Sequence, residues 1–583
     1  MSRFLVRAVI LVLGIGSMSG QNASGQDSSA QEKKGTVADV AELNRMASRF
    51  APIDLRVSLS GLSAGDRAAL AKLVAAGRLY DDIFLQQFWS GNQALYQKLR
   101  RDSTTLGKAQ LNYFWINKGP WSNLDGFAAF LPGVPARKPE GANFYPAGMA
   151  KEEFERWVTA LPEKEQNDAK GFFTVIRRGD DGRLKAVPYS QEYKDDLEQT
   201  AQLLREAAAL TDNASLKKFL ISRADAFLSN DYYESDMAWM DLDAPLDITI
   251  GPYETYNDEL FGYKAGFEAY INVRDEAESV KLAAFASHLQ QLEDNLPLDP
   301  KYRNPKLGAA APIRVVDEVL AAGDGAHGVT TAAYNLPNDD RVVQQKGAKR
   351  VMLKNVQEAK FEKVLLPISQ RLLAKSAQAD VKFEPFFTHI LTHELMHGLG
   401  PHQIQVQGRS TTPREEMKEL YSAIEEAKAD VTGLWALQYM MDHAKEMGLE
   451  KVLSTGPAAE RQLYTTFLAS SFRTLRFGLH EAHGRGMAIQ VNYLLDKGAF
   501  VAEADGTFSV NLEKAKTAVR DLDRELLTME AEGNYAAAKK MLDGAGTLNP
   551  QFQKGLARLQ DVPTDIAPRF VTAEKLAPTE PRK

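Results

Sequence analysis

Thr392-His393-Glu394-Leu395-Met396-His397-Gly398 carries the pattern His-Glu-x-x-His inside an apolar run. On a helix, residues four apart share one face about 6 Å apart, so His393 and His397 can present two imidazoles to one zinc ion. Glu394 then stands beside the position where the metal's water needs a general base. Upstream, Glu384-Pro385 predicts a helix start, and Phe386, Phe387, Ile390, Leu391 and Leu395 cover the other faces. Gly398-Leu399-Gly400-Pro401 supplies the stop. A helix apolar nearly all round is a buried one, and histidines beside a carboxylate on it need partners. A metal provides them. Of the nine histidines in the chain, His389, His393, His397, His402, His443, His480 and His483 fall in one short stretch, which separates a metal motif from a chance pentapeptide.

Two histidines require a third ligand. Thr412-Pro413-Arg414-Glu415 is a capping box with Pro at the first helical position, predicting a helix through Tyr421, Ile424, Val431, Leu434 and Leu437. Within it lies Glu425-Glu426-Ala427-Lys428-Ala429-Asp430. A helical Glu with an acid four residues later on the same face gives a ligand and an acceptor for a histidine's other ring proton. Spacing alone does not choose between Glu425 and Glu426; Glu426 is preferred because Asp430 then stacks one turn along.

At 583 residues the chain is too long for one ordinary core, so two or more domains or lobes are expected. Hydrophobic content of 44% and charged content of 25% describe a folded soluble protein. The formal charge of −7 and pI near 5.9 lack the basic footprint of a nucleic-acid binder. Arg3 and Arg7 precede the apolar run Ala8 to Ile15, then small and polar residues through Ala23-Ser24-Gly25, the order of a secretory signal over 1–25. No cysteine is present, which excludes disulfides, thiol catalysis and Cys-ligated zinc. Together these favour an exported protein, in the bacterial periplasm.

Elsewhere, Phe172 to Arg178 and Lys185 to Pro188 flank Gly179-Asp180-Asp181-Gly182 as a predicted hairpin. The acidic and aromatic stretch Trp239 to Tyr256 is expected to lead into a helix near Gly262 to Val273. Gly323-Asp324-Gly325-Ala326-His327-Gly328 matches Gly-x-Gly-x-x-Gly, but the β-like residues after it make it a turn and not a dinucleotide loop. His483, before the apolar run Ile489 to Leu495, reads on its own as a satisfied core histidine. Ala577 to Lys583 reads as a disordered tail.

From about Asp247 to Gly498, with gaps, these stretches resemble the dipeptidyl peptidase III family of zinc metallopeptidases (family M49), in a shorter exported bacterial branch. The family's acidic motif resembles 425–430, and implies Glu426 as the ligand. Its Glu-Ser-Tyr segment resembles Glu254-Thr255-Tyr256, implying that Tyr256 stabilises the transition state and Glu254 contacts the substrate's amino terminus. Its Asn-x-Pro-Asn turn resembles Asn335-Leu336-Pro337-Asn338, whose amides would hold the peptide backbone. Ala482-His483 ahead of Leu494-Leu495 resembles the segment whose histidine stabilises the oxyanion. The family's hallmark His-Glu-x-x-x-His has one residue more than this chain's motif, so the helix near the metal must differ. Met487 stands where type members have a basic residue.

The resemblance implies a predominantly helical α+β fold of two lobes separated by a wide cleft, with one zinc ion in the helical lobe and a small β-barrel in the mixed lobe. The expected division is signal peptide 1–25; mixed lobe 26–274, completed by about 319–363; helical catalytic lobe 275–318 and 364–545; and a C-terminal segment 546–583. The expected activity is zinc-dependent hydrolysis of short peptides, releasing dipeptides from the amino terminus, with Glu394 as general base. Another amide or ester substrate, or a catalytically idle zinc or peptide binder, are the alternatives.

Overall fold

The computed structural model describes residues 38–308, 312–479, 482–545 and 547–577. The signal-peptide reading, His480 and most of the tail therefore lie outside the described residues. Most elements are helices, and they gather around two large apolar cores that define two lobes. One core collects side chains from Leu55 to Ile271, with Val316 to Ala359, Ile566 and Ala573. The other runs from Leu282 to Val315 and Phe361 to Val562, joined by Ala333 and Met352.

Between them stands a five-stranded sheet in the order Leu246–Pro252, Phe267–Arg274, Ile313–Gly323, Lys349–Leu353, Ala333–Leu336. All pairings are antiparallel except that of Ile313–Gly323 with Lys349–Leu353. The 313–323 strand is shared: Ile313 and Val315 pack into the helical lobe, Val316 and Val319 to Ala322 into the mixed lobe. The helix Ala64–Phe88, capped by Ser63 accepting from the Asp66 amide at 3.0 Å, lies on this sheet. Gly77 lets it seat there, since a Cβ at that position would come within 3.2 Å of Leu320 and 3.5 Å of Ala269 and Ile271.

Three sequence expectations are corrected. The segment 262–273 is not a helix but contributes the Phe267–Arg274 strand. Phe267, Ala269, Ile271 and Val273 alternate with Glu268, Tyr270 and Asn272, and that period of two outweighs the helix formers around it. The next helix, Glu276–Ala286, starts only after its cap at Asp275. The sheet does not close as a barrel: Leu246–Pro252 and Ala333–Leu336 are its two edges, and no backbone pairing joins them among the described residues. Finally, Thr412 does cap, accepting from the Glu415 amide at 3.2 Å, but the helix it opens stops at Met417. Lys418 takes φ +55°, and the long helix restarts as Tyr421–Asp442. The hairpin Thr174–Arg178 with Leu184–Pro188 forms as read.

A buried ion pair closes the chain on itself. Lys360 Nζ lies 2.8 Å from Asp565 Oδ1, on the C-terminal strand that pairs with Phe50–Leu55, and Asp565 Oδ2 accepts from the Thr330 amide. Replacing Lys360 with Met strands a buried carboxylate, a loss of about 3–5 kcal/mol. The Lys360→Met variant should unfold at distinctly lower denaturant, and Lys360→Met/Asp565→Asn should recover much of that loss. An unchanged midpoint in the single variant would remove this pair from the stabilising core.

Candidate active site

The helix Phe383–Met396 carries Phe386, Phe387, Leu391 and Leu395 into the helical-lobe core and presents His393 and Glu394 on its remaining face, both nearly buried. It is α-helical up to Met396, with His397 as its αR cap, so the four-residue spacing needs no bulge. The helix Tyr421–Asp442 crosses it closely. Gly433 permits the approach, because a Cβ there would lie 3.3 Å from the His393 nitrogen and 3.5 Å from the His389 ring. Lys428, buried, donates from Nζ to the Met396 and Leu399 carbonyls and ties the two helices at their ends.

These placements orient both rings. His393 Nδ1 is 2.8 Å from Asp430 Oδ1, and His397 Nδ1 is 2.7 Å from Glu425 Oε1. Gln490 donates to Asp430 Oδ2 at 3.0 Å, and Tyr421 to Glu425 Oε2 at 3.0 Å. With each Nδ1 engaged by a carboxylate, the two Nε2 atoms face one another at 3.2 Å. Glu426 Oε2 is 3.3 Å from the first, 3.8 Å from the second and 3.1 Å from His483 Nε2. Ligands at 2.0–2.1 Å around a tetrahedral zinc ion stand about 3.3–3.5 Å apart, close to the 3.2, 3.3 and 3.8 Å that separate His393 Nε2, His397 Nε2 and Glu426 Oε2.

The donor set fits a cation. Two imidazole lone pairs and a carboxylate converge in a buried space, and each histidine is fixed by a carboxylate on its far nitrogen, as ligating histidines are. His393, Glu426 and His483 also form a compact triad by distance alone. His397 also turns its Nε2 toward His393, its ring held by Glu425. Glu425, Glu426 and Asp430 set three carboxylates against the one ammonium of Lys428, and a divalent ion balances the remainder. Burial opposes charge on His393, yet Asp430, Glu426 and Glu394 hold its pKa well above the ordinary imidazole value. Burial would raise the Glu426 carboxyl, but His483 and His393 hold it well below the usual range.

The other residues singled out from the sequence lie along the sheet. Glu254, just past the Leu246–Pro252 strand, belongs to a carboxyl cluster with Glu268 and Asp324. Burial, with Asp324 nearby, pushes Glu254 up to about 8. Burial and then Glu254 push Glu268 well up. Glu254 Oε1 and Glu268 Oε1 are buried without a hydrogen-bond partner. Asn338 Nδ2 donates to the Tyr253 carbonyl at 2.9 Å, and Asn335 sits on the edge strand with its Oδ1 buried and unpartnered. Tyr256 is not brought to the histidine cluster; it is 53% exposed, and its charged neighbours are Glu254, Glu268 and Asp324.

Sequence reasoning missed three contributors. Glu425, left open as a ligand by spacing, is buried and bonded to His397 Nδ1. Adjacent helical residues point about 100° apart, so a Glu-Glu pair can serve both tasks. Gln490 carried no signal. Arg350, from the Lys349–Leu353 strand, reaches Glu394 Oε2 at 2.9 Å, a long-range contact without a motif.

A fold of two lobes around a shared sheet, with a buried His-Glu-x-x-His cluster, defines a hydrolase of the metallopeptidase class. The model of peptidase family M49 matches residues 177–408. The structure of dipeptidyl-peptidase III from Corallococcus sp. strain EGB is 54% identical, covers 93% of this chain and 99% of its own, and superposes with a TM-score of 0.75. That of DPP III from Caldithrix abyssi is 46% identical over 92% of this chain and 100% of its own, with a TM-score of 0.86. An Arabidopsis thaliana protein named Nudix hydrolase 3 is 43% identical over 93% of this chain and 75% of its own length. A quarter of that protein lies outside the match, and its name is not carried to this chain. The chain belongs to the dipeptidyl-peptidase III family, peptidase family M49, and is a peptidase.

Two outcomes follow from the carboxylate-bound rings. Asp430→Asn and Glu425→Gln should each weaken zinc binding by about 10- to 100-fold in chelator competition; unchanged affinity in both would mean the rings need no such support. The raised pKa of His393 favours its protonated form in the metal-free protein, whereas a ligating imidazole must be neutral. Zinc uptake at neutral pH should therefore release protons, and affinity should rise with pH. Calorimetry in buffers of different ionisation enthalpy would expose the error if no protons were released.

Proposed function

We propose that this peptidase is a zinc enzyme that releases dipeptides from the amino terminus of short peptides. The observation that carries the reading is the convergence of the His393 and His397 Nε2 atoms and Glu426 Oε2 beside Glu394. His393, His397 and Glu426 would hold the ion, with Asp430 and Glu425 orienting the rings. Bound zinc would supply Lewis-acid polarisation of the scissile carbonyl and a water acidic enough to ionise near pH 7.

The remaining chemistry falls to the chain's own groups. Glu394 takes the proton of the attacking water and returns it to the leaving amine. His483, within 3.1 Å of Glu426 and with its ring nearly parallel to that of His393, is placed to donate to the developing oxyanion. Tyr256 would join it only after a closure of the two lobes, since it starts half exposed on the mixed lobe. The edge strand Ala333–Leu336 offers main-chain groups to an extended peptide, with Asn335 and Asn338 beside it. Glu254, in its carboxyl cluster, would receive the substrate's ammonium, whose charge offsets the desolvation that keeps the acid up. The secretory order of residues 1–25 supports export to the periplasm as part of the same reading.

Zinc-loaded protein incubated with a mixed pool of short peptides should accumulate dipeptides from amino termini, read by mass spectrometry. Glu394→Ala should keep its zinc and lose about 10²- to 10⁴-fold in turnover. Glu254→Gln should raise KM for free peptides more than it lowers kcat. Products cut from other positions would discard dipeptide release while keeping the hydrolytic site, and full activity in Glu394→Ala would defeat the base assignment.

A further inference from the structure

Arg350 lies on the sheet and Glu394 on a helix of the other lobe, yet a single guanidinium nitrogen holds Glu394 twice. Arg350 Nη1 is 2.5 Å from the Glu394 carbonyl oxygen and 2.9 Å from its carboxylate Oε2. The reason the carbonyl is available lies in the sequence. Gly398 ends the helix by turning its amide to the Leu395 carbonyl at 3.0 Å, a tightened last turn that leaves the Glu394 carbonyl without that donor. Arg350 takes the donor's place. Because one nitrogen hydrogen-bonds the main-chain oxygen and ion-pairs with the carboxylate of the same residue, the two contacts close a ring around the Glu394 side chain and restrict its rotamers. Charge-assisted bonds of this kind are among the stronger ones in proteins.

The other side of the strand gives this contact its direction. Arg350 pairs in register with Asn335 across the antiparallel ladder, so the two side chains leave the same face of the sheet. Asn335 carries an unpartnered Oδ1 on the free edge strand. One rung of the ladder thus joins a group able to hold a peptide backbone to the group that holds the base. With Oε2 engaged by Arg350, Glu394 Oε1 is the oxygen left to face a reacting water, and the carboxylate is restrained from swinging onto the adjacent histidine cluster.

We propose that Arg350 is a positioning residue for this reaction: it clamps Glu394 in one conformation and refers that conformation to the sheet edge on which the peptide lies. The inference rests on Glu394 being the general base. It assigns Arg350 no contact with substrate, so its removal should act on kcat and not on KM.

The test uses full-length zinc-loaded protein and the variants Arg350→Met, Arg350→Lys and Arg350→Ala, with wild type and Glu394→Ala alongside. Misplacement of a catalytic group by about 1 Å costs on the order of 100-fold, so Arg350→Met should lose about 10- to 100-fold in kcat. KM and zinc affinity by chelator competition should stay near the wild-type values, while the thermal midpoint of Arg350→Met should fall because the buried Glu394 carboxylate loses its partner. Arg350→Lys should retain more activity than Arg350→Met, because one nitrogen makes both bonds, and millimolar ethylguanidinium should restore part of the activity of Arg350→Ala. Wild-type kcat in Arg350→Met, a change confined to KM, a parallel fall in zinc affinity, or no rescue by ethylguanidinium would each overturn the assignment. Inactive wild type, or an active Glu394→Ala, would instead overturn the reading of the site on which it rests.

Discussion

Two imidazoles with both outer nitrogens committed to carboxylates are the constraint around which the helical lobe is built. Asp430 and Glu425 leave His393 and His397 no alternative but to turn Nε2 toward Nε2 at 3.2 Å. Such a contact needs a cation or a shared proton. The fold sustains it by means that have no other evident use: Gly433 at the helix crossing, and Lys428 bonded to two carbonyls at the end of the neighbouring helix. Two further buried acids stand behind the cluster, both shifted toward the neutral form. Burial raises Asp523 to about 7, and burial with Glu425 nearby holds Glu530 well above the carboxylate range. Glu425, Glu426 and Asp430 are held low, so theirs is the charge a metal would meet in the proposed reading, beside the ammonium of Lys428. Breaking any single member leaves its partner buried and unpaired, the costly outcome in a low-dielectric interior.

The sheet gives that cluster a fixed frame. Its 313–323 strand begins in one core and ends in the other, so movement of either lobe is referred to the same ladder. Arg350 and Asn335, opposite each other one rung from the end of the outermost strand pair, link the sheet to the helix Phe383–Met396 through Glu394. Small displacements at such a place matter because packed cores adopt discrete arrangements and do not deform smoothly.

What was legible in the sequence follows the range of the interactions. His393, Glu394 and His397 share one turn of helix, and Glu426 with Asp430 share another, so local periodicity exposed both. The capping box at Thr412 was legible for the same reason, but the break at Lys418 was not, because a φ of +55° on a lysine is imposed by tertiary packing and not by local preference. The strand Phe267–Arg274 was mistaken for a helix because its alternation is embedded among Ala, Glu and Lys, and only pairing with two neighbouring strands settles it. The open sheet was likewise beyond reach, since whether edge strands meet is decided by twist over the whole ladder. Arg350 and Gln490 act across long separations in the chain. Tyr256 is the converse case: its motif was legible, and it lies by Glu254 as the motif implies, but its charged neighbours are Glu254, Glu268 and Asp324 and not the histidine cluster.

The opposite end of the site decides whether a peptidase of this kind counts residues from a terminus. An extended chain advances about 3.3 Å per residue, so two residues occupy roughly 7 Å between a terminal ammonium and the bond cut after them. A free amino group carries the only charge that distinguishes that end from an internal stretch of peptide. Glu254 and Glu268 would meet this requirement in an unusual way, each with a buried oxygen lacking a partner and each raised by burial, with Asp324 adding to the shift of Glu254 and Glu254 to that of Glu268. In the proposed reading an ammonium entering there relieves two desolvated carboxyls at once, whereas an internal amide relieves neither. Discrimination then arises from groups left unsatisfied when the wrong substrate binds, which is the stronger form of selectivity a polar pocket can exert.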